Sequence, residues 1–164
     1  MIKSAVSIGS LEIISTHSIA DVFCNSLTNQ KSLHAGISFK KNEVIASFSG
    51  KEIAAVPNYL TIQIGTRQHI QLQPEFLQYT NHSCHPSVFF DTTKMEVIAL
   101  KDIESGEELS FFYPSTEWEM AKPFDCSCKQ KNCLQHIDGA KNLDKEILQS
   151  YRLTDFIKEK LNGK

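Results

Sequence analysis

Apolar positions in the first 100 residues recur mostly at a spacing of two. The cleanest case is Tyr59 to Gly65, where Leu60, Ile62 and Ile64 fall on one side and Tyr59, Thr61 and Gln63 on the other. That alternation predicts a half-buried strand whose polar side either lines a cleft or forms a solvated face. Leu33 to Phe39 and Val44 to Phe48 read as two strands joined by the turn Lys40-Lys41-Asn42-Glu43, and Gln68 to Leu72 as another. Val88 to Asp91 and Met95 to Leu100 read as a hairpin around Thr92-Thr93-Lys94. Residues 2 to 14 alternate loosely through Ile2, Val6, Ile8, Leu11 and Ile13, which suggests a strand or two around Gly9-Ser10. Residues 15 to 30 are polar and broken by His17, Asp21 and Asn25, and carry no assignment. Pro74-Glu75 opens a turn leading to Tyr79. Helical spacing emerges only after residue 140, in Leu143, Ile147, Tyr151, Phe156, Ile157 and Leu161, with Asp144 and Thr154 as N-caps. The chain is therefore expected to be mainly β with short helices, the last two packing on the β body.

Length and charge narrow the classes of function. A chain of 164 residues supports one ordinary core with a small appendage. A net charge of −2 and a pI near 6.3 leave no basic footprint, so a direct nucleic-acid partner is not expected. No stretch approaches the roughly 20 apolar residues of a membrane span, and Met1 to Glu12 has no signal-peptide core. The expectation is an intracellular protein, cytoplasmic or nuclear. Five cysteines, with Cys126, Cys128 and Cys133 packed into eight residues, fit metal ligation better than a disulfide framework.

Two stretches carry candidate chemistry. Asn81-His82-Ser83-Cys84 places polar and nucleophilic side chains together, but neighbours on an extended chain point to opposite sides and no glycine elbow surrounds Ser83, so a Cys-His or Ser-His hydrolase is poorly supported. Cys126-Ser127-Cys128 and Cys133 form C-x-C-x4-C, three soft ligands in a tight loop suited to Zn²⁺. The fourth ligand is open between His136, three residues on, and Cys84, distant in sequence. Cys24, beside Phe23, reads as a buried thiol.

Taken together with Gly106-Glu107-Glu108-Leu109-Ser110-Phe111-Phe112-Tyr113, these stretches resemble the SET-domain protein lysine methyltransferases with a post-SET-like zinc segment, over roughly residues 31 to 139. The resemblance implies a SET-domain β-clip with a knot-like crossing of two segments. It divides the chain into a SET domain (1 to 120), a zinc segment (121 to 139) and a helical tail (140 to 164). It implies transfer of methyl groups from S-adenosylmethionine to a lysine of a histone or other basic protein, with Tyr113 as the catalytic tyrosine. Ser32, Leu33, His34, Asn81, His82, Tyr113 and Leu134 are then the cofactor-binding residues, and Tyr59, Phe111 and Phe112 the substrate channel. Phe111 and Phe112 also read as strand aromatics, of which at least one must face the core. The resemblance makes Cys84 the fourth zinc ligand with Cys126, Cys128 and Cys133. In the family, phenylalanine two before the catalytic tyrosine accompanies di- or trimethylation, and Phe111 stands there.

The likeness has departures. Ser32 stands in a stretch where the family has glycines, Asn42 replaces a turn glycine, Gln78 sits where many members have arginine, and Ser87 replaces an asparagine. Ser32 motivates the alternative reading, a SET-like zinc-stabilised interaction module without transfer activity. Glu104, Glu107, Glu108, Glu117, Glu119 and Asp125 surround the presumed site, either as a rim that attracts a lysine-rich peptide or, for most of them, as ordinary solvated surface.

Overall fold

The computed structural model describes residues 10 to 163. Strands run β1 (Leu11–Thr16), β2 (Ala20–Asn25), β3 (Lys31–Ala35), β4 (Val44–Ser47), β5 (Ser49–Ala54), β6 (Thr61–Gly65), β7 (Gln68–Gln73), β8 (Asn81–His82), β9 (Val88–Asp91), β10 (Glu96–Ala99), β11 (Ser110–Phe111), β12 (Phe124–Asp125) and β13 (His136–Ile137). Helices α1 (Lys145–Gln149) and α2 (Asp155–Leu161) close the chain. The mainly β class expected from periodicity is the class observed.

Three antiparallel sheets of three strands, in the orders β1-β2-β3, β4-β10-β9 and β5-β7-β6, wrap one core. Leu33, Phe39, Ile62, Ile70, Phe90, Val97, Ile103 and Leu109 lie at its centre. Asn42, at φ 70°, takes the left-handed conformation at the Lys40 to Glu43 turn, which asparagine tolerates at small cost. The expected strand from Leu33 to Phe39 stops at Ala35, and Phe39 makes only a bridge to Ile103.

The N-terminal expectation needs revision. Ile2, Val6, Ile8 and Gly9 lie outside the described residues, while the unassigned segment from 15 to 30 contains all of β2. Its signal is weak because β2, paired between β1 and β3, buries Ala20 and Val22 but leaves Asp21, Phe23 and Cys24 half-buried. β1 itself is exposed along its whole length.

Two small pairings position the chemistry. β8 and β11 run parallel, Asn81 opposite Ser110 and His82 opposite Phe111, although 27 residues separate the strands. The crossing is reinforced by Ser83 N–H to the Phe111 carbonyl at 3.0 Å and Ser87 N–H to the Ser110 carbonyl at 2.9 Å. β12 and β13 close the cysteine loop. The tail forms a second core, Phe112, Ala140, Leu148, Leu153 and Ile157, so the two expected helices do pack on the body. Thr154 caps α2 by accepting from Ile157 N–H, whereas Asp144 precedes α1 without a side-chain cap bond.

Candidate active site

The parallel β8–β11 pair brings Asn81, His82 and Tyr113 together. The His82 and Tyr113 ring centroids are 5.2 Å apart, and Tyr113 N–H donates to His82 Nδ1 at 3.2 Å. Burial pulls the His82 pKa down to about 4, so the ring is neutral. With Nδ1 accepting, the proton sits on Nε2, which faces Cys84 Sγ at 3.4 Å. His82 thus ties the tyrosine backbone to a cysteine. Asn81 spends both amide hydrogens, on the Lys31 carbonyl and on Glu108 Oε1, each at 3.0 Å. Tyr113 is half-buried, and its hydroxyl donates to the Thr80 carbonyl at 3.3 Å. Burial, then the charges of Glu117 and Glu108, push the phenol above its usual range, so it stays neutral near pH 7.

Two cavities meet at these residues. A larger one, about 730 Å³, has Tyr59, Phe111, Tyr113 and Glu117 in its wall. A second, about 490 Å³, has Ser32, His34, His82, Glu108 and Cys126. Gln30, Lys31, Asn81, Tyr113 and Phe124 belong to both walls, the last three beside His82.

The expected cofactor and channel residues divide. Ser32 and His34 line the smaller cavity. Gly106 offers only a carbonyl to His34 Nδ1 at 3.0 Å, so that nitrogen carries the proton and Nε2 accepts from Ser32 Oγ at 3.0 Å. Leu33 is fully buried in the main core, because β3 alternates and its neighbours take the cavity face, so its side chain is not at a cofactor surface. Leu134 packs with the second core and gives its N–H to Cys84 Sγ at 3.4 Å; it is in neither cavity wall. Phe111 and Phe112 alternate as strand neighbours must. Phe111 lies in the larger cavity, 4.7 Å from the Tyr113 ring, whereas Phe112 turns into the second core, so the channel assignment of Phe112 does not hold. Tyr59, 88% exposed, stands at the cavity rim.

The four thiol sulfurs of Cys84, Cys126, Cys128 and Cys133 all lie within 4.8 Å of one another, and none forms a disulfide. Tetrahedral zinc with Zn–S bonds of about 2.3 Å sets sulfurs roughly 3.8 Å apart, so this cluster needs little adjustment to hold the ion. Burial pushes the Cys84 thiol up and Cys126 up to about 11. Burial acts the same way on Cys128, but hydrogen bonds from the backbone of Cys84 and Gln130 and from the other thiols bring it down to about 7, giving one ready thiolate. His136 instead pairs with Asp125 at 2.9 Å, and Cys24 contacts Asn29, so neither joins the cluster. Asn132 and Tyr151 both donate to the Cys84 carbonyl, at 2.7 and 2.8 Å.

Sequence reasoning missed Phe124, whose ring lies 5.9 Å from Tyr113 and 5.7 Å from His82. Its place two residues before Cys126 was the available signal. The acidic rim is mostly engaged elsewhere: Glu107 pairs with Lys101, Glu119 with Lys141 and Asp125 with His136. Glu117 is not surface at all; it is buried. No described helix is long and apolar enough to cross a membrane.

Residues 22 to 114 match the family model described as SET domain. The chain is 43% identical over 108 residues to the methyltransferase flvH of Aspergillus flavus, an alignment covering 65% of this chain and 60% of that protein. It is 35% identical over 68 residues to the histone-lysine N-methyltransferase, H3 lysine-36 specific, of Aspergillus oryzae, covering 38% of this chain and 7% of that one. The structure of KRYPTONITE in complex with mCHG DNA and SAH superposes with a TM-score of 0.56 at 17% identity, over 74% of this chain and 30% of that chain. The chain belongs to the SET-domain family. It spans 60% of the length of flvH and a small fraction of the histone-directed relative.

Proposed function

We propose that the protein is an S-adenosylmethionine-dependent methyltransferase acting on a lysine side chain of a basic protein such as a histone. The observation that carries this reading is the partition of two cavities by Asn81, Tyr113 and Phe124. Ser32, His34, Asn81 and His82 would hold the methyl donor in the smaller cavity, and Phe111 with Tyr113 would border the amine in the larger one. Methyl transfer from sulfonium to amine moves positive charge without creating an oxyanion, so the site's task is alignment at near-attack distance. The neutral Tyr113 hydroxyl suits a hydrogen-bonding post there. Phe111 presents no hydroxyl to anchor a blocking water, which supports a second and third transfer.

The cysteine cluster would hold Zn²⁺ as a structural ion, fastening residues 126 to 133 beside Cys84 and so ordering one wall of the donor cavity. We read residues 1 to 120 as the SET domain, 121 to 139 as the zinc segment and 140 to 164 as the tail. The test is incubation of zinc-replete protein with labelled S-adenosylmethionine, a histone panel and cell lysate, with Tyr113→Phe as control. Label on lysine that disappears in the control supports the reading; cofactor binding with no lysine product in any mixture contradicts it.

A further inference from the structure

Glu117 is a buried carboxylate on the wall of the larger cavity, held at four points. Its N–H donates to the Tyr113 carbonyl at 3.0 Å, and its carbonyl accepts from Ala140 N–H at 2.9 Å. Its Oε1 accepts from Gln63 N–H at 2.8 Å and Thr116 Oγ at 3.0 Å. Gly139 lets the segment carrying Ala140 approach, since a Cβ there would stand 2.1 Å from the Trp118 carbonyl oxygen. The side chain is 8% exposed, and Oε2 has no protein hydrogen-bond partner among the described residues. A carboxylate so firmly oriented, with one oxygen unspent, on a cavity wall shared with Phe111 and Tyr113, is more than a latch for Gln63 requires.

We propose that Glu117 is the counter-charge and proton acceptor for the cationic aliphatic amine that enters the larger cavity, an inference that rests on reading this cavity as the acceptor side. An entering R–NH3⁺ gives one proton to the Glu117 carboxylate, leaving R–NH2 and a neutral carboxylic acid. The nitrogen lone pair forms a bond to the sulfonium methyl carbon, and the carbon–sulfur pair departs with sulfur as S-adenosylhomocysteine. The product nitrogen keeps the positive charge as R–NH2⁺–CH3, and the acid releases its proton to solvent through the cavity mouth.

The electrostatics agree with the geometry. Burial pushes the Glu117 carboxyl up to about 7 against the opposing Gln63 and Thr116 hydrogen bonds, so both protonation states are accessible near neutral pH. The titratable groups around it are Tyr113 on its own segment, His69 opposite Gln63 on β7, and Lys31, Tyr59, Tyr79 and Lys122 on the cavity wall. Burial favours the neutral forms of Tyr113 and His69, and among the described residues Glu117 makes no ion pair. An incoming ammonium would be its first cationic partner.

The experiment is calorimetric titration of the zinc-replete protein, saturated with S-adenosylhomocysteine, with Nα-acetyl-lysine methylamide in two buffers of different ionisation heat. Near pH 7 the amine is expected to bind with release of a fraction of a proton, and more tightly as pH rises from 5 to 8.5. Glu117→Gln keeps an oxygen for Gln63 N–H; it should bind about tenfold more weakly and release no proton. Equal affinity and proton release in the two proteins overturns the proposal, as does absence of amine binding to the unmodified protein. Should the variant fail to fold, a flat pH profile in the unmodified protein overturns it equally. Amine binding that behaves as expected, with no methyl transfer to any lysine, would sink the lysine methyltransferase reading and leave the Glu117 assignment standing.

Discussion

Tyr151 lies face to face on Phe112, ring centroids 3.7 Å apart and planes 7° from parallel, and its hydroxyl reaches the Cys84 carbonyl at 2.8 Å. One tail residue therefore touches both the residue beside Tyr113 and a cysteine of the cluster. Tyr151→Ala removes the stack and the hydrogen bond and is expected to cost about 3 to 5 kcal/mol, whereas Tyr151→Phe keeps the stack and should cost about 1 kcal/mol. Urea denaturation of the zinc-loaded protein checks both. Cofactor affinity that stays unchanged in Tyr151→Ala would show the tail to be energetically separate from the site.

The phenol of Tyr113 is half-buried and bonded to the Thr80 carbonyl. Tyr113→Phe leaves the ring packing against Phe111 intact but removes the post, so single-turnover transfer should fall by about 10²-fold. Cofactor affinity should change little. A rate within a factor of two of the parent would remove the phenol from the mechanism.

Chelation should release one zinc per chain and expose Cys84, Cys126, Cys128 and Cys133 to alkylation, while Cys24, outside the cluster, reacts whether or not metal is present. Structural zinc binding is worth on the order of 10 kcal/mol, enough to decide whether residues 121 to 139 stay ordered. Cys84→Ser is expected to lower both zinc content and S-adenosylmethionine affinity. Mass spectrometry of labelled thiols distinguishes this from a surface cluster, in which all of the thiols would react alike.

Glu117 and His82 pull stability in opposite directions with pH. The folded-state pKa of Glu117 is raised from 4.5 to about 7, so its contribution is fully present below 4.5 and lost as pH rises through 7, about 3 kcal/mol in all. That of His82 is lowered from 6.5 to about 4, so its contribution is present above 6.5 and lost as pH falls through 4. The two nearly offset in the parent protein. Glu117→Gln should leave only the His82 limb, so its denaturation midpoint, measured against the parent, should gain steadily between pH 4.5 and 7. A difference that is constant over that range would mean that Glu117 titrates normally.

Phe111 borders the larger cavity 4.7 Å from the Tyr113 ring. Phe111→Tyr introduces a hydroxyl able to anchor a water there, and the expected product distribution shifts toward monomethyl-lysine while the first transfer stays within a few-fold. Mass spectrometry of a lysine peptide after exhaustive reaction reads this directly, and trimethyl product undiminished in the variant would contradict the role given to Phe111.

Much of this was present in the chain as a string of residues. Period-two alternation marked β6, β7, β9 and β10, a left-handed Asn42 suited its turn, and the tail caps sat near the helix starts, because strand and turn preferences act over a few neighbours. β2 escaped because its burial depends on β1 and β3 lying on either side of it. The motif residues were legible as a set, yet their division was not: Phe112 faces the tail, Leu33 the core, and Glu117 the cavity.

From residues alone came the β class, the three-cysteine loop and the likeness that joined Cys84 to it. Only the folded chain decided which cavity each side chain borders, that Phe124 completes the partition, and that Glu117 is buried. The physical reason is range. Periodicity and turn chemistry are local, whereas the parallel pairing of residues 81 to 82 with 110 to 111 and the contact of Glu117 with Gln63 across 54 positions exist only after loops have closed.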